Sequence, residues 1–329
     1  MDLISHGLMG AMVAGLGLQQ KFGAAGVVTT VIANAAPDLD VVACVRGPKC
    51  FYKYHREITH SLLGATILGI LISTGIYFFT PMHNLVAILA MVFAGLATHL
   101  LMDSLTPWGL PLFYPFINKK YGFDLIWFID PVIIASMVGG VSIGYQLPEY
   151  SFVAYLTALA VIAAYLFLRV TQKRRARRVA EEEMTPRYRE AEVFVLPSAV
   201  SPFYWDVIYK ARGYYLYVSV DSRRKEVLCV REFSSASYHR CVRDSQAASM
   251  VDVFMRRSRF PFYSVTKENG CYTVEWCDAH LLNLGGVHGV AVSINENGEI
   301  LREKLCIKKP VRRRMRKTKV EDYLQEEAS

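Results

Sequence analysis

The sequence predicts an α-helical polytopic membrane bundle of about six segments, the first two short, followed by a small cytoplasmic β-rich α+β domain. The long uncharged apolar runs fall within residues 1–168, whereas most of the charge follows. The later part instead has short runs of alternating apolar and polar residues separated by glycines, a pattern typical of strands. A chain of 329 residues is long enough for about two domains.

Four apolar stretches are long enough to cross the hydrocarbon core of a bilayer, which takes about 20 residues. They are residues 61–80, 82–102, 125–147 and 150–168. Two shorter stretches, residues 7–18 and 22–37, precede them. We expect these two to form a tilted pair of short helices or a re-entrant hairpin buried in the bundle.

The distribution of Lys and Arg orients this bundle. Loops 38–60 and 104–124, together with the start of the tail after residue 168, carry twelve of these residues, whereas the loops of the other side carry Lys21 alone. Short cytoplasmic loops are enriched in Lys and Arg. We therefore expect a multi-pass protein of the bacterial inner membrane with both termini in the cytoplasm.

The chain after the apolar stretches divides into three parts. Residues 169–191 change from basic to acidic, as expected of a juxtamembrane linker whose basic end contacts anionic lipid headgroups. Residues 192–307 predict the β-rich domain, with a helix over residues 252–259. Residues 308–329 form a charged tail, for which a disordered segment is favoured over nucleic-acid binding.

Several His and Asp residues that are distant in the sequence fall on one side of the predicted bundle. His99 and Asp103 are four residues apart, so both point from one face of a helix. Asp38 and Asp40 alternate after Pro37, so both carboxylates can point to one place. The candidate metal ligands are His6, Asp38, Asp40, His55, His60, His99 and Asp103.

Imidazole nitrogen and carboxylate oxygen suit a divalent metal, with Zn the first choice and Mn or Fe the alternatives. The set contains no Cys, which argues against a closed structural zinc site. Each member alone has a structural interpretation: His6 as an incidental residue near a terminus, PDLD as a helix-ending turn, and His99 with Asp103 as a hydrogen-bonded pair. Together they predict metal binding, because ionisable groups at membrane helix ends are costly and usually functional.

Two further acids, Asp124 and Asp130, are candidates to contact the metal ligands without binding the metal themselves. Asp130 lies inside a predicted helix, where helix packing is an equally good interpretation. His83 follows Pro81 on the opposite side of the bundle. We expect His83 to lie outside the site.

These motifs resemble the YdjM-type family of bacterial membrane-bound metal-dependent hydrolases. The resemblance extends over about residues 1–170 and rests on His6-Gly, PDLD at 37–40, HREITHS at 55–61, HLLMDSLTPWG at 99–109 and FDLIWFIDP at 123–131. More distantly, the ligand set is similar to the zinc sites of phospholipase C and P1-type nucleases, which hydrolyse phosphoesters. Those enzymes carry a second His-x-x-x-Glu/Asp motif late in the chain, and the sequence after Asp103 has none.

The resulting hypothesis is a membrane-bound metal-dependent hydrolase acting on a phosphoester or lipid-like substrate at the cytoplasmic membrane face. Asp40 or Asp103 would orient a water molecule acidified by the metal, and Arg56 would pair with a phosphate oxygen. One alternative is a non-catalytic, metal-stabilised scaffold or regulatory protein whose β-rich domain binds a cytoplasmic partner. A transporter is disfavoured, because the predicted cluster lies at one end of the helices rather than at their midpoint.

Overall fold

The computed structural model describes residues 2–40, 57–182, 190–199, 201–211, 213–234, 240–268, 270–281 and 286–308. The chain forms two compact units, the first comprising Met1–Arg169 and the second beginning at Val170. The first unit is helical, and the second contains the β-strands.

Six α-helices occupy the described residues up to position 182. They are α1 (Leu3–Gly15), α2 (Leu18–Ala35), α3 (Leu62–Phe79), α4 (Leu85–Ser104), α5 (Pro131–Gln146) and α6 (Ser151–Glu182). Residues 36–40 extend α2 as a 3-10 turn. Among the described helices, four are long and apolar enough to cross a membrane, namely extended α2, α3, α4 and the helix containing α6, whereas α1 and α5 are shorter.

The predicted span over residues 125–147 is wrong at its start. Helix α5 begins at Pro131, because the Asp130 carboxylate accepts hydrogen bonds from the main-chain N–H groups of Val132 and Ile133. A capping Asp followed by Pro at the first helical position is a strong start signal. The second apolar stretch is in turn longer than predicted: α2 begins at Leu18 and continues through a kink at Gly23, whose φ of 60° favours glycine.

Helix α2 packs closely against both α1 and α4. A methyl group on Gly10 of α1 would lie 2.8 Å from the Cα atom of Val31. A methyl group on Gly95 of α4 would lie 2.9 Å from the carbonyl oxygen of Thr30. Small residues at such contacts let helix backbones approach closely in membrane bundles. The three helices therefore bring their polar residues together near the end of α2.

The second unit contains two antiparallel four-stranded sheets with strand orders β1-β2-β3-β4 and β5-β6-β7-β8. The strands are β1 (Glu192–Pro197), β2 (Tyr204–Ala211), β3 (Tyr214–Asp221), β4 (Glu226–Ser234), β5 (Pro261–Glu268), β6 (Cys271–Asp278), β7 (Gly286–Ile294) and β8 (Ile300–Lys308). Helices α7 (Arg240–Ser245) and α8 (Ser249–Arg257) separate the sheets in the chain. Helix α8 corresponds to the helix predicted over residues 252–259, but it both starts and ends earlier.

Both faces of each sheet are apolar and pack against other parts of the unit. One face of the first sheet packs with Ala176 and Val179, and the opposite face contributes Ile208 and Tyr217 to a core that it shares with Phe262 of the second sheet. The other face of the second sheet packs beneath α7 and α8. Successive residues of a strand point to opposite faces, so this sandwich requires apolar residues at nearly every central position.

Candidate metal centre

Four side chains from three helix ends converge in the first unit. Asp38 follows α2, His60 precedes α3, and His99 and Asp103 lie on α4. One potential ligand atom from each lies within 4.8 Å of those of the other three. Asp38 is 6% exposed and the other three are 0% exposed. The arrangement could hold a metal ion, and its members belong to the ligand set that the sequence predicts.

A tight turn before α3 positions His60. The Ser61 hydroxyl accepts a hydrogen bond from the Gly64 N–H at 3.0 Å and donates one to the Ile58 carbonyl at 2.8 Å. A methyl group on Gly64 would lie 1.9 Å from the same carbonyl oxygen. Because this capping turn folds onto the first turn of the helix, it requires glycine at position 64 and directs His60 inward.

The orientation of His99 is set by the backbone of α2. Its Nδ1 atom lies 2.6 Å from the carbonyl oxygen of Asn34. A carbonyl oxygen only accepts hydrogen bonds, so Nδ1 carries the proton and Nε2 presents a lone pair to the cluster. Histidine ligands of metals are oriented in this way by a hydrogen bond on their outer nitrogen.

Hydrogen bonds of the Thr59 hydroxyl orient His60. The Thr59 hydroxyl donates to Asp40 Oδ2 at 3.0 Å and lies 2.9 Å from His60 Nδ1, from which it accepts. The lone pair of His60 Nε2 therefore faces the cluster as well. Asp40, expected as a ligand, lies on the outer side of the ring, with its Oδ2 atom 3.7 Å from His60 Nδ1.

When both imidazoles are neutral and protonated at Nδ1, the inward atoms are all hydrogen-bond acceptors. The Nε2 atoms of His60 and His99 are 3.1 Å apart, and Asp38 Oδ1 lies 3.2 Å and Asp103 Oδ2 3.5 Å from His60 Nε2. Buried lone pairs and carboxylates at these separations repel one another unless positive charge lies between them. Neutral imidazole and carboxylate are the ligand forms that divalent metals bind, so the donor set fits such an ion.

The two carboxylates also present oxygens to a second side, where His6 lies. His6 Nε2 is 3.2 Å from Asp103 Oδ1 and 3.6 Å from Asp38 Oδ2. Each carboxylate thus points one oxygen towards His60 and His99 and the other towards His6. His6 Nε2 is therefore within hydrogen-bond distance of Asp103, on the side of the carboxylates that does not face His60.

The remaining predicted residues lie elsewhere or outside the described part. Asp124 is buried in a segment that hydrogen-bonds to the end of α4, through Phe123 N–H to Ser104 and Leu125 N–H to Leu105. Asp130 caps α5 and accepts a hydrogen bond from the Tyr165 hydroxyl at 2.8 Å. His55 and Arg56 lie outside the described residues.

Two residues that orient the histidines were missed by the sequence reasoning. Thr59 lies inside the HREITHS motif, immediately before a predicted ligand. Asn34 lies at the end of α2, four residues before Asp38 in the sequence. That spacing was a usable signal for Asn34, although its contribution comes from a main-chain carbonyl that any residue would carry.

Apolar helices around a buried His and Asp cluster define a membrane protein with a candidate metal centre. The chain belongs to the YdjM inner membrane protein family, whose model matches residues 1–176 of the 329. It is also similar to the uncharacterized protein YfhP of Bacillus subtilis strain 168, with 23% identity over 189 residues. That match spans 55% of this chain and 58% of YfhP. No solved structure matches the chain.

Proposed function

We propose that this protein is a membrane-bound, metal-dependent hydrolase acting on a phosphoester or lipid-like substrate at the cytoplasmic membrane face. The observation that carries the proposal is the buried set of inward-facing acceptors at Asp38, His60, His99 and Asp103. A site rich in carboxylates and without Cys favours a catalytic over a structural metal. The concentration of Lys and Arg in the loops of the same side supports the cytoplasmic orientation.

In this proposal Asp38, His60, His99 and Asp103 hold one divalent ion, most suitably Zn, with Mn or Fe as alternatives. His6 and Asp38 would hold a second ion. Such ions supply Lewis acidity and lower the pKa of a water molecule towards neutrality.

Three side chains of the protein have the remaining proposed roles. We propose that Asp103, which is fully buried, orients a water molecule and accepts its proton. Asp40 acts through Thr59 and keeps His60 in the tautomer that binds metal. Arg56, in the loop before His60, is proposed to pair with a phosphate oxygen of the substrate.

The test combines metal analysis with turnover. The full chain is purified in detergent, its metal content is measured by plasma mass spectrometry, and hydrolysis is assayed on phospholipids and soluble phosphodiesters. His99→Ala and Asp103→Ala should lose both metal and activity. His83→Ala, in the loop between α3 and α4, is the matched control and should keep both.

Each other outcome is decisive. Unchanged metal content in both cluster variants contradicts the ligand assignment. Full metal occupancy without turnover on any phosphoester instead supports the non-catalytic alternative, in which the ion ties helices together and the β-rich unit binds a cytoplasmic partner.

A further inference from the structure

The connection between α4 and α5 contains a short hairpin, residues 110–121, fastened beside the metal centre. Leu110 and Tyr121 exchange main-chain hydrogen bonds of 2.7 and 2.9 Å, which close its base. The Leu112 carbonyl accepts from the Leu62 N–H at 2.9 Å, two residues after His60. Leu110 is fully buried with Ala65 of α3 and Leu100 of α4. The base is therefore held by the helix ends that carry His60 and Asp103.

The tip of this hairpin has the opposite character. Phe116 is 82% exposed, Ile117 48% and Phe113 44%. Lys119 is exposed next to them, with its ammonium 5.8 Å from the centre of the Tyr121 ring. Aromatic and aliphatic side chains beside a lysine are typical of segments that lie in the headgroup layer of a membrane.

The adjoining helix ends indicate that the membrane surface lies at this level. Leu62 and Leu63, immediately after the capping Ser61, are exposed, as is Leu101 of α4. Exposed leucines in apolar helices of this length face lipid. The lipid-facing surface therefore reaches the level of the metal centre, and the exposed tip of the hairpin continues it.

We propose that residues 110–121 form a lipid-binding hairpin, which immerses Phe116 and Ile117 in the membrane interface and binds the headgroup of an anionic phospholipid through Lys119. The bound lipid lies beside the helix ends that carry His60 and Asp103, so the centre receives its substrate from the plane of the membrane. The role of this lipid as substrate rests on the proposed hydrolase function, whereas its binding does not.

The first test locates the tip. Phe116→Trp is introduced into the full chain, which is reconstituted in nanodiscs of phosphatidylcholine with brominated acyl chains. The emission added by the new tryptophan should be blue-shifted, quenched by the brominated lipid and protected from aqueous iodide. Leu301→Trp, at an exposed position of β8, is the matched control and should be quenched by iodide. Quenching of the Phe116→Trp emission by iodide but not by brominated lipid would overturn the proposal.

The second test concerns the headgroup. Native mass spectrometry measures phosphatidylglycerol bound to the detergent-purified chain. Lys119→Gln should weaken that binding about fivefold, the loss expected for one lysine at an anionic surface. Lys267→Gln, an exposed lysine of β5, should leave it unchanged. Equal binding by both variants contradicts the assignment. Neither test needs turnover, so an inactive centre would leave both results interpretable.

Discussion

The imidazole ring of His6 stacks on that of His99, with ring centroids 3.8 Å apart and planes inclined by 26°. This contact joins α1 to α4 and places His6 Nε2 on the second side of the two carboxylates. We predict that His6→Ala lowers the metal content from about two ions per chain to about one, because the four residues of the first side stay intact. Plasma mass spectrometry of the purified variant measures the ratio.

The same experiment discriminates between one ion and two. His83→Ala should keep the wild-type ratio. Wild-type protein with a single equivalent of metal that His6→Ala retains would show that His6 only supports the ring of His99 by stacking.

Thr59 provides a second prediction, on metal affinity. Thr59→Val keeps the side-chain shape but removes the hydroxyl between His60 Nδ1 and Asp40. Loss of such an orienting hydrogen bond typically costs 10–100-fold in metal affinity, and we expect about that loss here. Competition with a fluorescent zinc chelator measures the affinity of the purified chain.

Thr66→Val is the matched control for this variant. The Thr66 hydroxyl bonds to the Leu62 carbonyl within α3, so its removal should leave metal affinity unchanged. Equal metal affinities of Thr59→Val and the wild type would show that the hydrogen bonds of Thr59 do not orient His60.

Much of the helical unit was predictable, because uncharged length is a direct physical requirement of the bilayer. The long α3 and α4 were predicted within a few residues. The start of α5 was missed because the apolar run was followed across residues 125–130, although Asp130 before Pro131 is a sequence signal for a helix start. The extent of α2 was missed because Gly23 and the polar residues before it lower the local hydropathy, whereas the helix continues through the kink.

The residues of the candidate metal centre were predictable for a different reason. His6, Asp38, His60, His99 and Asp103 are all ionisable groups at predicted helix ends, and orientation by charge brought them to one side. The pattern does not distinguish an inward from an outward carboxylate. Asp40 was therefore grouped with the ligands, although its carboxylate lies beyond Thr59, on the outer nitrogen of His60.

Packing between α2 and α4 gives a third prediction. Gly95→Ala places a methyl group 2.9 Å from the Thr30 carbonyl oxygen and 3.0 Å from the Asn34 nitrogen. Since both are backbone atoms, α4 must shift, and we expect a loss of about 1–3 kcal/mol in stability together with weaker metal binding. Thermal unfolding in detergent and metal titration measure the two effects.

Gly139→Ala of α5 controls for the change from glycine to alanine, because a methyl group there meets nothing within 4 Å. It should be neutral or stabilise the helix by up to about 1 kcal/mol. Similar unfolding of both variants would indicate that α2 and α4 separate without cost.

The buried Tyr217 gives a prediction for the β-rich unit. Its hydroxyl donates to Asp206 Oδ1 at 2.7 Å across the first sheet. Burial, and then the charge of Asp206, raise the pKa of Tyr217 well above its ordinary value. Tyr217→Phe removes a donor from a buried carboxylate, and we expect it to cost about 1–3 kcal/mol at neutral pH.

The pH dependence of this variant follows from the sign of the shift. In the unfolded chain Tyr217 loses its proton near pH ~10, while in the folded chain it keeps it, so its contribution is complete below that pH and declines above it. Denaturant unfolding, followed by the fluorescence of buried Trp205 and Trp276, should therefore show a smaller loss of stability in Tyr217→Phe than in the wild type between about pH 8 and about pH 10.5. Parallel losses in the two proteins would mean that Tyr217 ionises equally easily in the folded and unfolded chains, contrary to its burial beside Asp206.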